Sequence, residues 1–230
     1  MKKKFLPCFI LSRKNSKSLK NKNTYKFLNK PLIQHTIDYA KNTKGVTDIV
    51  VSTDDPKAAK IAKKNNCILI FPRPKNLSND TASSLSALYH AAKFVLREKF
   101  DFDFFCYLQV TEPLRPKKIL QNCIDNVKKN KNLNSSFAGY IYKKNFWIKT
   151  KRSYKLISPV TKILQPRQKR NSIFREDCGV ALVSKKNVLL KNKKLFKKPF
   201  KIVPYNDYSG LLDIHSKSDI KLGELISKLF

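Results

Sequence analysis

The amino-acid sequence predicts an α/β fold with a mostly parallel, open sheet and helices on both faces of that sheet. Short, almost entirely apolar runs alternate with longer segments in which apolar residues recur every three or four positions. The short runs are typical of parallel strands buried on both faces, and the longer segments are typical of amphipathic helices. The order strand, helix, strand, helix, strand is complete within about seventy residues, as in right-handed crossovers of a parallel sheet.

The first strand is predicted at residues 5–10, and a polar stretch, residues 11–23, follows it directly. Pro31 then opens a helix over residues 31–43, because proline is favoured in the first turn of a helix. A strand that leads into a loop rich in Arg, Lys, Ser and Asn, and then into a helix, can form an anion site. A solvated lysine-rich loop is the alternative interpretation of residues 11–23.

The next elements continue the same alternation up to about residue 129. Strands are predicted at residues 48–52, 67–71 and 104–108, and helices at 57–63, from about residue 81 to Glu98, and from Pro116 to Lys129. Polar loops follow the first, third and fourth strands. Because the carboxyl ends of parallel strands meet at one edge of an open sheet, we expect these three loops to form one site.

The pattern changes after about residue 133, and we interpret the whole chain, residues 1–230, as a single domain with a small excursion. Strands of mixed polarity are predicted at 136–142 and within 146–157, and a buried strand at 179–183. Residues 140–176 are interpreted as the excursion from the sheet, with a role in dimerisation or at the substrate site. Ser216 and Asp219 are expected to cap a last helix.

The net charge of +33 at pH 7 is the strongest feature of the composition. It favours nucleic acid, an anionic membrane surface or a phosphorylated substrate as partner. The excess is mostly lysine, often beside asparagine, and it is spread along the chain, so a coding bias towards A/T-rich codons is favoured over a nucleic-acid-binding surface as its explanation. Hydrophobic residues make up 41% of the chain, which is typical of a globular protein.

The cysteines and the N-terminus exclude several classes of protein. The five cysteines are widely spaced and form no CxxC pair, so neither a zinc site nor a disulfide framework is predicted. The basic start resembles that of a signal peptide, but the apolar run ends at Ser12-Arg13 without a small-residue cleavage site. No stretch approaches the roughly 18 apolar residues of a membrane span. We therefore expect a cytoplasmic protein with no membrane partner.

A nucleotide site in this chain has to rely on cationic side chains. There are only five glycines, and neither GxGxxG nor GxxxxGK[ST] occurs, which excludes a dinucleotide fingerprint and a Walker loop. Arg13, Lys17 and Lys22 supply positive charge after the first strand, where backbone N–H groups can also converge on an anion.

Six stretches carry a more specific signal. They are residues 11–19 with Lys22-Asn23, residues 51–54, Arg73-Pro74 with residues 80–84, residues 108–115, residues 165–168, and residues 213–215 with Asp219. In order and spacing they resemble the motifs of the acylneuraminate cytidylyltransferases, the CMP-sialic acid synthetases, from about residue 5 to 229. The resemblance implies a nucleotide-diphospho-sugar transferase-like fold, a homodimer, and Mg²⁺-dependent transfer of CMP from CTP to the anomeric hydroxyl of an acidic nine-carbon sugar.

The resemblance also implies roles for individual residues. Arg13, Lys17 and Gln109 are the implied catalytic residues. The implied nucleotide-binding residues are Leu11, Ser12, Arg13, Ser16, Lys17, Lys22, Asn23, Arg73, Ala82 and Ser84. The implied sugar-binding residues are Gln109, Thr111, Arg167 and Gln168. Asp213 is the implied metal ligand, together with His215. Independently of the resemblance, arginine suits a carboxylate or phosphate by bidentate pairing, and Mg²⁺ prefers carboxylate and phosphate oxygens.

The chain departs from the family pattern at several positions. His215 stands where the family usually has a second aspartate, and Val110 and Glu112 replace the usual proline and serine. Ser18 replaces a glycine, and residues 176–179 replace the usual Asn-Gly. Three alternatives stay open: a nucleotidyltransferase for another acidic sugar, a catalytically inactive relative, and a basic nucleic-acid-binding protein. Without the resemblance, Arg115 and Arg167 are equally well interpreted as surface ion-pair partners, and Asp54 as a helix N-cap.

Overall fold

The computed structural model describes residues 5–16, 18–157 and 166–229, and of Arg167 only the backbone. The strands are β1 (Pro7–Ser12), β2 (Lys26–Phe27), β3 (Lys30–Pro31), β4 (Asp48–Thr53), β5 (Ile68–Ile70), β6 (Phe104–Leu108), β7 (Ser135–Tyr142), β8 (Trp147–Lys149), β9 (Tyr154–Leu156), β10 (Ile173–Glu176), β11 (Leu182–Lys185) and β12 (Phe200–Tyr205). The helices are α1 (Leu32–Lys41), α2 (Pro56–Lys64), α3 (Ser84–Arg97), α4 (Ile119–Lys129), α5 (Lys186–Leu190) and α6 (Lys217–Ser227).

Eight of these strands form one mixed sheet in the order β10-β7-β11-β6-β1-β4-β5, with β12 paired to β7. The pairs β1–β4, β1–β6, β4–β5 and β7–β12 are parallel, and only β10 and β11 run against the others. The prediction of a mostly parallel open sheet is therefore confirmed. The strand order reverses at β1, since β4 lies on one side of it and β6 on the other, and ligands bind at such a switch point in open α/β sheets.

Helices cover both faces of the sheet, as predicted. Alternation along β1 turns Cys8 and Ile10 to one face and Phe9 to the other. The first face packs against α1, α2, α4 and α6, and the second packs against α3 and α5. Cys8 and Cys106 are fully buried in the core, as expected, whereas Cys67 is half-buried.

Capping residues fix the ends of several helices. The Asp55 carboxylate accepts the Lys57 N–H at the start of α2, so the prediction that Asp54 is the N-cap is wrong by one residue. In α6 the Ser216 side chain accepts the Asp219 N–H, and the Asp219 carboxylate accepts the Ser216 N–H, which together form the predicted capping box.

The described residues 143–157 and 166–172, between β7 and β10, lie outside the main sheet, whereas residues 140–142 and 173–176 of the predicted excursion are part of it. Strands were expected within 146–157, and there the structure has a separate hairpin of β8 and β9. The lysine-rich segment 185–198 contains α5, in which Val188 and Leu189 are buried. β12 was not predicted, and all six of its residues pair with β7. None of the helices in the described ranges is long and apolar enough to cross a membrane.

Candidate active site

The carboxyl ends of β1, β5 and β6 surround a cleft of about 270 Å³, at the switch point of the sheet. Loops from these three strand ends line it, as predicted, together with the start of α3 and His215 from the segment before α6. The lining residues are Leu11, Arg13, Ser16, Lys22, Asn23, Arg73, Leu77, Asn79, Asp80, Ala82, Ser83, Ser84, Ala87, Tyr107, Gln109, Val110, Thr111 and His215.

The loop after β1 crosses the cleft and is tied to the loop before α3. Arg13 Nη1 lies 3.0 Å from Asp80 Oδ1 and donates to the carbonyl of Asn79 at 3.0 Å. The Asn23 side chain, which is buried, donates to the carbonyl of Arg13 at 3.0 Å. Because the ion pair between Arg13 and Asp80 is partly exposed, it contributes little to stability and a bound anion can compete for the guanidinium.

Arg73 is the buried cation of the cleft, with its side chain only 4% exposed. Its Nη2 lies 3.7 Å from Asp54 Oδ1, and its Nε donates to Ser78 Oγ at 3.1 Å. The same Asp54 oxygen accepts the Lys14 N–H at 2.9 Å, so this carboxylate joins the loop after β1 to Arg73. Burial lowers the pKa of the Arg73 guanidinium, while Asp54 opposes that change.

A second charged group lies at the opposite rim. Lys22 Nζ lies 3.4 Å from His215 Nδ1, and His215 Nε2 lies 2.9 Å from Asp213 Oδ2. Burial lowers the pKa of Lys22, Arg13 lowers it further, and Asp213 opposes them. His215 thus lies between the Lys22 ammonium and the Asp213 carboxylate, a cation and an anion that suit a polyphosphate and its counter-ion.

Gln109, Val110 and Thr111 form the wall that follows β6. The neighbouring Tyr107 ring is buried, and burial raises the pKa of its hydroxyl while hydrogen bonds from Ser84 and Gln109 lower it. Strand alternation is the signal that could have placed Tyr107 at the cleft, since it lies on the α3 face of β6. Sequence reasoning did not include it.

Arg115 is not a surface ion-pair partner, which corrects that interpretation of the sequence. Its guanidinium is buried and donates to the carbonyls of Gln109, Gly179 and Val180 and to the Thr36 hydroxyl. Burial lowers its pKa, and Glu112 is the nearby acid that opposes this most. The side chain therefore ties the loop after β6 to the turn before β11 and to α1.

Glu112 is a partly exposed acid next to that tie, with one carboxyl oxygen buried. Its Oε2 atom is shielded from solvent and has no hydrogen-bond partner among the residues described. Burial raises the pKa of Glu112 to about 8, with Arg115 opposing and Asp213 and Asp177 adding to the shift. The carboxyl is therefore largely neutral at pH 7.

A further network holds the segment that carries Asp213. Arg175 makes two hydrogen bonds to the Asp177 carboxylate, at 2.7 and 3.0 Å, and donates to the carbonyl of Gly210 at 2.5 Å. The Tyr205 hydroxyl donates to Asp177 at 2.5 Å, and burial and this bond raise its pKa. The Ile214 N–H donates to the carbonyl of Thr111 at 2.8 Å. These bonds fix the backbone beside Asp213, and sequence reasoning did not predict them.

Most of the predicted binding residues meet in this cleft. Those that line it are Leu11, Arg13, Ser16, Lys22, Asn23, Arg73, Ala82, Ser84, Gln109, Thr111 and His215. The Ser12 side chain instead points into the protein interior at the end of β1, where it is fully buried. Gln168 is exposed in a short 3₁₀ turn, Arg167–Lys169, and is not among the lining residues. The prediction for Lys17 falls outside the described residues, as does that for the Arg167 side chain.

Asp213 and His215 alone do not complete the ligand set of a metal ion. Within the described ranges no three His, Cys, Asp or Glu side chains are grouped to hold a metal. Mg²⁺, however, is commonly held by one or two carboxylates together with substrate phosphates and water. One half-exposed carboxylate at the rim of a cationic cleft suits an ion that arrives with a nucleotide. Imidazole is a poorer ligand for this hard cation.

The arrangement suits electrostatic catalysis on a phosphate ester. Cationic groups at both ends of the cleft can hold a triphosphate and neutralise charge that develops on a departing pyrophosphate. Amide and hydroxyl groups from Asn23, Ser84 and Gln109 can orient a base and a second substrate by hydrogen bonds.

Comparisons with known proteins agree with this geometry. A family model described as cytidylyltransferase matches residues 8–211. Over 123 residues the chain is 37% identical to pseudaminic acid cytidylyltransferase of Campylobacter jejuni, a match covering 54% of this chain and 53% of that protein. Over 223 residues it is 27% identical to CMP-N,N'-diacetyllegionaminic acid synthase of Legionella pneumophila, covering 96% of this chain and 95% of that protein. The match thus spans about half the length of the first relative and nearly all of the second.

Among solved structures, a similar fold is found in CMP:2-keto-3-deoxy-manno-octonic acid synthetase complexed with CTP. The TM-score is 0.69, the sequence identity is 16%, and the alignment covers 98% of each chain. At this identity the likeness establishes the fold alone, and the fold class predicted from the sequence is confirmed.

Proposed function

The chain belongs to the cytidylyltransferase family, and on that premise we propose that it transfers CMP from CTP to the anomeric hydroxyl of a nonulosonic acid. The acceptor is of the sialic, legionaminic or pseudaminic type, and pyrophosphate is released. The observation that carries this proposal is the meeting of the family-like loops, after β1, β5 and β6, in one cationic cleft at the switch point. The two relatives named above, which activate pseudaminic and legionaminic acid by name, support the acceptor class.

The reaction is an in-line displacement at the α-phosphorus of CTP. The anomeric oxygen of the sugar forms a new bond to phosphorus, the bond to the β-phosphate oxygen breaks, and the hydroxyl proton is released to solvent. Arg13 and Lys22, with Lys17, hold the triphosphate and neutralise the departing pyrophosphate. Arg73 and Asn23 lie where they can contact the cytidine. We assign binding of the sugar to Gln109 and Thr111, which line the cleft.

We also propose that Mg²⁺ takes part, held by Asp213 and by phosphate oxygens of the nucleotide. The ion would add positive charge where the pyrophosphate leaves. Lys22 and His215 keep the Asp213 carboxylate at the rim of the cleft, and the Arg175 network fixes its backbone.

The excursion supports a homodimer as the proposed assembly. Its hairpin exposes apolar side chains that we call the hairpin patch, which are Trp147 (55% exposed), Ile148 (52%), Tyr154 (67%) and Ile157 (55%). Large apolar side chains exposed together on one short hairpin support an interface there. Sedimentation equilibrium of the wild type and of Trp147→Ser tests the assembly, and a monomeric wild type would contradict it.

The reaction is tested by measuring pyrophosphate release from CTP in the presence of Mg²⁺, with sialic, legionaminic and pseudaminic acids as acceptors. We expect release with one of these acids and with CTP only, and not with ATP, GTP or UTP. Absence of release from the folded protein with every acid would contradict the proposal. Salt-sensitive binding of RNA or DNA instead would favour the nucleic-acid interpretation of the +33 charge, which the family match does not favour.

A further inference from the structure

Glu112 is a residue that nothing in the proposed reaction uses. It comes directly after Thr111, the last residue of the cleft wall, yet it does not itself line the cleft. Its buried Oε2 atom has no hydrogen-bond partner in the part of the chain that the structure describes, so no bond at this oxygen offsets the cost of its burial there. A buried, unsatisfied acid costs stability, and groups of this kind are frequently retained for function.

Glu112 and Gln109 pack against the same backbone atom. A Cβ atom on Gly179 would overlap Glu112 Oε2 and would lie 2.8 Å from Gln109 Cδ and 2.9 Å from Gln109 Oε1. The absence of a side chain at Gly179 therefore leaves room for both groups. Both side chains therefore pack against Gly179, and removal of the Glu112 side chain opens space into which the Gln109 amide can move.

The backbone around these side chains is held rigidly. The Gln109 N–H donates to the Gly179 carbonyl at 2.9 Å, which joins the two chain segments directly. The buried Arg115 guanidinium donates to the carbonyls of Gln109, Gly179 and Val180. A change at position 112 is therefore taken up by the Gln109 side chain, because the backbone has little freedom to move.

We propose that Glu112 is a specificity-determining residue, which sets the depth of the sugar end of the cleft by supporting the Gln109 side chain from behind. The inference rests on the proposed function, since Gln109 is placed there as a sugar contact. It assigns to Glu112 no contact with the nucleotide and no proton transfer. Glu112 acts through Gln109, so its replacement should change binding of the sugar and leave binding of CTP unaffected.

The test compares two replacements of Glu112 in the full-length chain. Glu112→Gln keeps the shape of the side chain, and we expect KM values for the sugar and for CTP close to those of the wild type. Glu112→Ser removes the support, and we expect the KM for the sugar to rise about tenfold, the effect of one misplaced hydrogen bond, with KM for CTP unchanged. The order of preference among the sialic, legionaminic and pseudaminic acids should also change. Glu224→Ser, at an exposed position on α6, is the matched control.

A double-mutant cycle with Gly179 tests the packing itself. Gly179→Ala forces a methyl group between Glu112 and Gln109 and should raise the KM for the sugar. Combining it with Glu112→Ser provides space for that methyl group, so the double variant should be closer to the wild type than Gly179→Ala alone. If Gly179→Ala does not fold, the comparison of Glu112→Ser with Glu112→Gln decides alone.

Two failures can be told apart. If the wild type turns over no acidic sugar, the proposed function fails and this inference fails with it. If the wild type is active but Glu112→Ser keeps the wild-type KM for the sugar and the same order of preference, the inference alone is overturned. A rise in KM for CTP equal to that for the sugar would also overturn it.

Discussion

The free energy of unfolding of Glu112→Gln, measured relative to that of the wild type, should rise as the pH rises from acid to neutral and alkaline values. Burial raises the pKa of Glu112 from 4.5 to about 8, with Arg115 opposing and Asp213 and Asp177 adding to the shift. A carboxyl whose pKa is raised in the folded state leaves the protein most stable below the ordinary pKa, where the group is protonated in both the folded and the unfolded chain. That contribution is lost as pH rises towards 8, because the unfolded chain ionises while the folded chain does not. Glu112→Gln has no such titration.

The magnitude follows from the pKa. Each pKa unit corresponds to about 1.4 kcal/mol, so the change from 4.5 to about 8 corresponds to about 5 kcal/mol at most. Between pH 5 and pH 8 the free energy of unfolding of Glu112→Gln should therefore rise by about 3 kcal/mol relative to that of the wild type. Any loss of packing in the variant is the same at every pH and cancels from this difference.

Urea unfolding at pH 5, 6.5 and 8 measures this effect. Wild type, Glu112→Gln and the exposed control Glu224→Gln are compared at each pH, with equal m-values required for the comparison. Glu224→Gln should follow the pH dependence of the wild type. An unchanged pH dependence in Glu112→Gln would refute the buried, neutral state of this carboxyl.

Three further predictions concern the rim of the cleft and the last helix. Asp213→Ala should lower kcat at saturating CTP by at least about a hundredfold if Asp213 holds Mg²⁺, and intact turnover would contradict that assignment. His215→Asp adds a second carboxylate and should lower the Mg²⁺ concentration for half-maximal rate, whereas an unchanged Mg²⁺ dependence would contradict a role for this position in metal binding. Ser216→Ala removes the N-cap of α6 and should lower the free energy of unfolding by about 1 kcal/mol, measured by urea titration, and an unchanged value would contradict the capping box.

The sheet and the place of the cleft could be predicted because both depend on local pattern. Apolar runs predicted β1, β4 and β6 to within about two residues at each end, and Phe104–Leu108 was predicted with its observed bounds. The meeting of three polar loops followed from the geometry of parallel strands alone. β12 was missed because Pro204 weakens the strand signal, and the structure accommodates this residue on a strand that pairs on one side only.

The contacts behind the cleft could not be predicted, because they join residues far apart in sequence. Arg115 donates to carbonyls of Gly179 and Val180, and backbone acceptors carry no signal in the side-chain sequence. Its burial, and that of Glu112, depend on how the turn before β11 packs onto the loop after β6. Departure from the family pattern at Glu112 was visible in the sequence, but its position against Gly179 required the structure.

The most direct test of the account is the identity of the product. Phosphorus NMR monitors a reaction mixture of the protein, CTP, Mg²⁺ and an acidic nine-carbon sugar. Transfer of CMP predicts one new phosphodiester signal for each pyrophosphate formed, and no reaction when the sugar is omitted. Release of free CMP with pyrophosphate, or consumption of CTP without a phosphodiester to the sugar, would contradict the proposed transfer.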